Sequence, residues 1–257
     1  MDFRTDDLLD SNTRHAVEVR RVFISRYFYA MHGGKVRRGP LKGFTLNGSP
    51  SWEPAGVASK LFGLYEQEIL TLLEQAKGRK RTLVNLGADD GYYGVGLVAT
   101  NYFHDAVCYE LSEEGRALIQ RTAELNGISG RIKIMSEATS DFPNQLRQLN
   151  IAVEGTLILC DVEGAEFGIF SEACLASLEG AEIIIELHDF MIPNGGQALG
   201  LLLSRAARYF DVSSVKTGAR DLSSIPDLDS VNDTDRWLIC SEGRAKLMTW
   251  LHFAPKK

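Results

Sequence analysis

Five short runs rich in branched and apolar residues recur at near-regular spacing after residue 80, and this cadence constrains the fold more than any other feature. They are TLVNL (82–86), AVCYE (106–110), RIKIM (131–135), TLILCD (156–161) and EIIIEL (182–187), and four of the five are separated by helical stretches. Continuous apolar strands joined by helices require a parallel sheet covered on both faces, with right-handed crossovers. Ligands of such sheets sit at the carboxyl ends of the strands. A helix near 196–209 is followed by FDVSSVKT (210–217) and RWLICS (236–241) with no helix-length apolar pattern between them, which predicts an antiparallel pair closing the sheet.

The chain before residue 80 lacks that alternation, so residues 1–80 are expected to form an accessory helix and hairpin segment and residues 81–257 the main domain. Ser11 is placed to cap a helix through Met31, with Val17, Val19, Val22, Phe23, Ile24, Tyr27 and Phe28 as its apolar side and Gly33 and Gly34 as its stop. The stretch 37–49 reads as a short hairpin, and 64–76 returns to helical spacing. With 257 residues and 44% apolar content, the chain can bury one sizeable core. Its four cysteines form no CxxC pair, which points to buried thiols in a reducing compartment. Asp2, Asp6, Asp7 and Asp10 are incompatible with the basic start of a secretion signal, and no apolar run approaches the about 18 residues of a membrane span; a soluble, cytoplasmic protein is expected. The net charge of −6 disfavours nucleic acid as the main partner, although 35–42 and 77–81 are locally basic.

The first strand runs into Gly87-Ala-Asp89-Asp90-Gly91-Tyr92-Tyr93-Gly94 and then a helix, which is the setting of a nucleotide-handling turn. The dinucleotide pattern G-x-G-x-x-G would need glycine where Asp89 stands. A carboxylate about 4 Å from a pyrophosphate costs about 4 kcal/mol at an effective dielectric of about 20. The same carboxylates attract a cation. S-adenosylmethionine carries a sulfonium and an ammonium, no phosphate, and a carboxylate small enough for the N–H groups of the turn. Glu110 ends the second strand nineteen residues after Gly91, where an acid accepts hydrogen bonds from both ribose hydroxyls, and Leu111 follows it. Glu137 and Ala138, after the third strand, are at the height of an adenine. Tyr92 and Tyr93 either flank the methionine moiety or pack the first helix, and Tyr65 and Glu66 are candidates to fold over the cofactor.

Together, LGADDGYYG, CYE, CDVEGAEFGIF (160–170) and IIIELHDF (183–190) resemble the class I S-adenosylmethionine-dependent methyltransferases, and specifically the FkbM-like O-methyltransferases. The resemblance spans residues 60–190. It implies a Rossmann-like, seven-stranded, mostly parallel sheet with helices on both faces, S-adenosylmethionine as methyl donor, and a hydroxyl acceptor on a sugar, glycan precursor or natural product. Asn85 stands where the family usually has Asp, so either Asp89 compensates or cofactor affinity is reduced.

Methyl transfer requires an aligned acceptor and removal of its proton. Asp161, Glu163 and His188 lie at the fourth and fifth strand ends and are the candidate catalytic residues, with Asp161 also near the cofactor. His188 is suited to take a proton near neutral pH. No metal ligand is assigned, although Asp161, Glu163, His188 and Asp189 are donors able to hold Mg²⁺ or a similar ion. The aspartate-rich stretch 219–235 reads as too polar for a core, either an acceptor-binding loop or a solvated connection. Two alternatives stay open: an RNA methyltransferase using the basic clusters, and a non-catalytic cofactor-binding scaffold.

Overall fold

The alternation after residue 80 builds a seven-stranded sheet in a computed structural model, which describes residues 7–48, 54–244 and 246–256, with side chains from residue 11. The strands are β1 (Thr82–Leu86), β2 (Asp105–Tyr109), β3 (Ile132–Met135), β4 (Thr156–Cys160), β5 (Glu182–Glu186), β6 (Phe210–Lys216) and β7 (Thr249–Pro255). Their spatial order is β3-β2-β1-β4-β5-β7-β6. The first five pair in parallel, and β7 runs antiparallel to both β5 and β6. Chain order reverses direction between β1 and β4, so the cleft outside that junction is the topological switch point where ligands bind.

The helices are α1 (Asp7–His32), α2 (Val57–Leu61), α3 (Gln67–Gln75), α4 (Gly94–Ala99), α5 (Glu113–Leu125), α6 (Phe142–Gln148), α7 (Glu166–Ile169), α8 (Glu172–Ser177), α9 (Gly195–Ala206) and α10 (Asp233–Cys240). They cover both faces, and the period-2 geometry of a strand divides the core accordingly. On one face Leu83, Leu157, Leu159, Ile184 and Trp250 pack with residues from α2 to α5 and from the N-terminal segment. On the other, Val84, Leu86, Ile158, Ile183, Ile185 and Phe253 pack with α6 to α9. β1, β4 and β5 are buried along their whole length, as expected for central parallel strands.

The structure corrects several expectations. RWLICS belongs to α10, not to a strand. Asn232 caps that helix by accepting from the Asp235 N–H, Asp233 and Asp235 favour its positive end, and Arg20 of α1 holds Asp235 at 2.6 Å. The partner of β6 is β7, whose buried Trp250, Leu251 and Phe253 the sequence reading did not assign. Stretch 219–235 contributes to the core, because Ile225 and Leu228 are each 1% exposed. In α1 the helix starts before Ser11, and its buried side is Arg21, Ile24, Ser25 and Phe28, while Val17, Val19, Phe23 and Tyr27 are exposed. Gly33 and Gly34 do stop it, and the hairpin reduces to a bridge between Lys35 and Thr45, with Ser49 outside the described residues.

No helix among the described residues is long and apolar enough to cross a membrane. The four cysteines are free, three of them buried, and burial pushes Cys108 and Cys174 up to about 12.

Candidate active site

The turn after β1 is closed by its own backbone. Gly87 and Ala88 both donate to the Tyr109 carbonyl, Gly91 donates to Ala88, and Tyr92 donates to the Asp90 carboxylate. These N–H groups are therefore engaged within the protein, contrary to the expectation that they face a ligand carboxylate. Gly87 has φ +76°, and a Cβ there would stand 1.7 Å from the Asp161 carbonyl oxygen, so only glycine lets the β1 and β4 ends approach.

The two aspartates of the turn separate in role. Asp90 is buried and paired with Lys60 of α2 at 3.2 Å, so its charge is spent inside the fold. Asp89 is half-buried with φ 48°, and its N–H donates to Glu110 at 3.0 Å. Glu110 also accepts from Ser112 at 2.8 Å, so both oxygens are oriented by backbone and each keeps a lone pair for a ligand. Gly115 makes room for it, since a Cβ there would stand 2.7 Å from the Glu110 Cγ. Glu137 and Leu111 are exposed and Ala138 is half-buried. Tyr92 is buried between Tyr65 and Lys60, with ring centroids 5.7 Å apart and the ammonium 5.1 Å from the ring. Asn85 is buried with its Oδ1 lacking a hydrogen bond, and its Nδ2 reaches only the Gly87 carbonyl at 3.5 Å.

At the ends of β4 and β5 the carboxylates crowd. Asp161, Glu163, Glu166, Glu186 and His188 meet there. The His188 Nε2 stands 3.3 Å from Glu163, 3.8 Å from Asp161 and 3.9 Å from Glu186. Glu166 is fully buried and ties the two loops together, accepting from the backbone N–H groups of Gly164 and His188 at 2.8 Å each. Burial first, then the charges of Glu66 and Glu163, push Asp161 up to about 7. Burial, then Asp161 and Glu66, push Glu186 up as well. Two such close acids each disfavour the ionisation of the other.

Residues remote in sequence close this end. Arg244 donates to Glu186 at 2.5 Å, to Glu242 at 2.9 Å and to Glu66. Arg220 continues the network to Glu242 at 2.6 Å and Glu68 at 2.5 Å. Tyr93 donates to Glu66 at 2.5 Å, so the segment around Tyr65 and Glu66 does reach the strand ends. Of the residues that sequence reasoning left out, Glu166 and Glu186 lay within the quoted motifs. Arg220 lay within the stretch 219–235 already singled out, while Lys60, Glu242 and Arg244 carried no local signal. Asp189, expected among the oxygen donors, is not part of the Asp161, Glu186 and His188 cluster.

Two surface depressions, of about 430 and 490 Å³, lie elsewhere, one beside Lys42, Phe44 and Tyr102 and one across the amino ends of β1 to β3. The strand-end cleft is thus identified by its chemistry rather than by volume. The fold is Rossmann-like, an α/β fold around a seven-stranded, mostly parallel sheet. The structure is similar to cofactor-bound Rv0187 from MTB, with TM-score 0.50, 12% identity, and coverage of 75% of this chain and 81% of that one. It is also similar to the O-methyltransferase from Bacillus cereus in complex with SAH (0.47, 14%, 76% and 80%) and to the O-methyltransferase TomG from Streptomyces achromogenes in complex with SAM (0.46, 12%, 82% and 83%). No family model and no curated protein sequence matches the chain.

Proposed function

We propose that the chain is an S-adenosylmethionine-dependent methyltransferase of FkbM-like type that methylates a hydroxyl on a small molecule, a sugar, glycan precursor or natural product. The observation that carries this reading is the juxtaposition of the glycine turn with Glu110 beside the switch point, in a sheet ordered β3-β2-β1-β4-β5-β7-β6. The cleft fits the cofactor. Glu110 is 7% exposed, oriented by two N–H groups, and free to accept from a ribose, and the partly exposed acids Asp161 and Glu163 favour a cation over a pyrophosphate. Gly87, Asp89, Gly91, Tyr93 and Glu110 would line it, with Glu137 and Ala138 toward the adenine and Tyr92 as packing. When bound, the cofactor supplies an electrophilic methyl group.

The chain's own task lies at the β4 and β5 ends. Asp161, Glu163 and His188 would hold the acceptor hydroxyl and take its proton, and Glu166 holds the two loops at the spacing this needs. Residues 1–80 are read as an accessory to the domain at 81–257, supplying Lys60 and Glu66 to the cleft. The RNA reading is weakened at one of its two basic clusters, because within 77–81 Arg79 pairs with Glu182, Lys80 donates to two backbone carbonyls, and Arg81 pairs with Asp105.

Calorimetry tests the proposal: S-adenosylmethionine or its demethylated product should bind with micromolar affinity, about −8 kcal/mol. Saturable NAD binding without a response to S-adenosylmethionine would end it.

A further inference from the structure

His188 has a side chain only 4% exposed, yet its Nδ1 makes no hydrogen bond and its Nε2 faces three carboxylates. The separations from Nε2 to Asp161 Oδ1 and Glu186 Oε2, 3.8 and 3.9 Å, are too long for hydrogen bonds. Asp161 Oδ1 is likewise buried without a hydrogen-bond partner, although the rest of its carboxylate reaches solvent. The Nδ1 is turned to Glu166, while the orphaned Asp161 Oδ1 faces the Nε2 side, and a buried acceptor without a partner is costly unless something sits beside it. Bonds of about 2.1 to 2.2 Å to a common centre, at angles of about 90 to 130°, put neighbouring donor atoms about 3 to 4 Å apart.

We infer that Asp161, Glu186 and His188 form a binding site for a divalent first-row transition cation of the Mn²⁺ kind. Their donor atoms all lie within 4.8 Å of one another. Two carboxylates and one imidazole suit such an ion better than Mg²⁺, which prefers an all-oxygen shell. Charge agrees: Arg244 is divided among Glu66, Glu186 and Glu242, and among the described residues Asp161 and Glu163 have no ion pair to an arginine or lysine. Glu163, 3.3 Å from Nε2 and largely exposed, is a fourth donor able to swing in. Glu166 Oε1, 3.8 Å from Nδ1, is the carboxylate positioned to orient the ring from behind. On the methyltransferase reading the acceptor hydroxyl would complete the shell and be acidified there; binding of the ion itself does not rest on that reading.

The test is a Mn²⁺ titration of untagged, chelator-stripped protein followed by electron paramagnetic resonance, with S-adenosylmethionine binding measured in parallel. The wild type should take up one Mn²⁺ per chain. Asp161→Asn and His188→Gln should each weaken uptake at least tenfold, and Asp189→Asn should leave it unchanged. A free Mn²⁺ signal that follows the total added, or uptake unaltered in both variants, overturns the site. Where a variant fails to fold, paramagnetic broadening of the His188 ring resonances in the wild type decides: broadening supports the site and its absence overturns it. Mn²⁺ uptake without cofactor binding would leave the cation site standing and end the methyltransferase reading, and the reverse result would do the opposite.

Discussion

The two halves of the cleft solve the same problem by different means. At the β1 and β2 ends the buried acids are satisfied mostly from close by: Glu110 by Asp89 and Ser112, Asp90 by Tyr92, with Lys60 the one partner from a distant segment. At the β4 and β5 ends the acids outnumber their local partners, and Arg244 and Arg220 arrive from the connection between β6 and β7 to neutralise them. The first half is a local fold of one turn and one strand end. The second is an assembly of distant segments, and its properties depend on whether that assembly is complete.

The seam between the halves should be the most sensitive point. Gly87→Ala places a Cβ 1.7 Å from the Asp161 carbonyl at φ +76°, so either strand end must move. Denaturant unfolding should show a loss of about 4 kcal/mol or more, or no folded protein. A loss below about 1 kcal/mol would mean that the close approach is not a constraint.

Next in size is the assembly of the second half. Arg244→Ala leaves Glu66, Glu186 and Glu242 without their shared cation, and removing one partner from a buried pair costs about 3 kcal/mol or more. The unfolding midpoint reads this out. Stability unchanged by the variant would place the arginine at the surface in solution.

A crossed pair of variants then sharpens the functional contrast. Glu110→Ala should weaken cofactor binding tenfold or more, by about 1.5 to 3 kcal/mol, as charge-assisted hydrogen bonds are lost. His188→Ala should lower turnover about 10²-fold or more with cofactor affinity nearly unchanged. If both variants lose affinity and turnover equally, the division of labour is wrong.

The smallest effect lies away from the cleft, at the opposite end of β5. Burial alone would raise Glu182, but the hydrogen bond from His252 at 2.9 Å and the charges of Arg79 and Lys80 hold it below 4.5. A depressed carboxyl contributes stability above its unfolded value and loses it as pH falls through the folded one. Glu182→Gln should therefore cost about 1 kcal/mol at neutral pH and flatten the acid side of the stability curve below about 4.5. An unchanged acid limb would show that the pair contributes nothing.

The sequence by itself determined the parallel core and the glycine turn beside Glu110. The sequence places β1 at Thr82–Leu86 and the other parallel strands to within a residue at either end, because a strand buried on both faces needs an unbroken apolar run, and these five runs recur at near-regular spacing. Glu110 and the glycine turn were legible for a related reason: their partners are neighbours in the chain or at the next strand end. Tertiary structure decided the rest. RWLICS looks like a strand until Asn232 caps it and Arg20 anchors Asp235 from α1. Arg244 and Arg220 sit in polar stretches without periodicity, and they matter only because folding brings them to carboxylates 58 and 152 residues away. Local patterns record which backbone conformation a segment can bury. Which buried charges end up facing one another depends on where the sheet closes, and no short stretch of sequence carries that information.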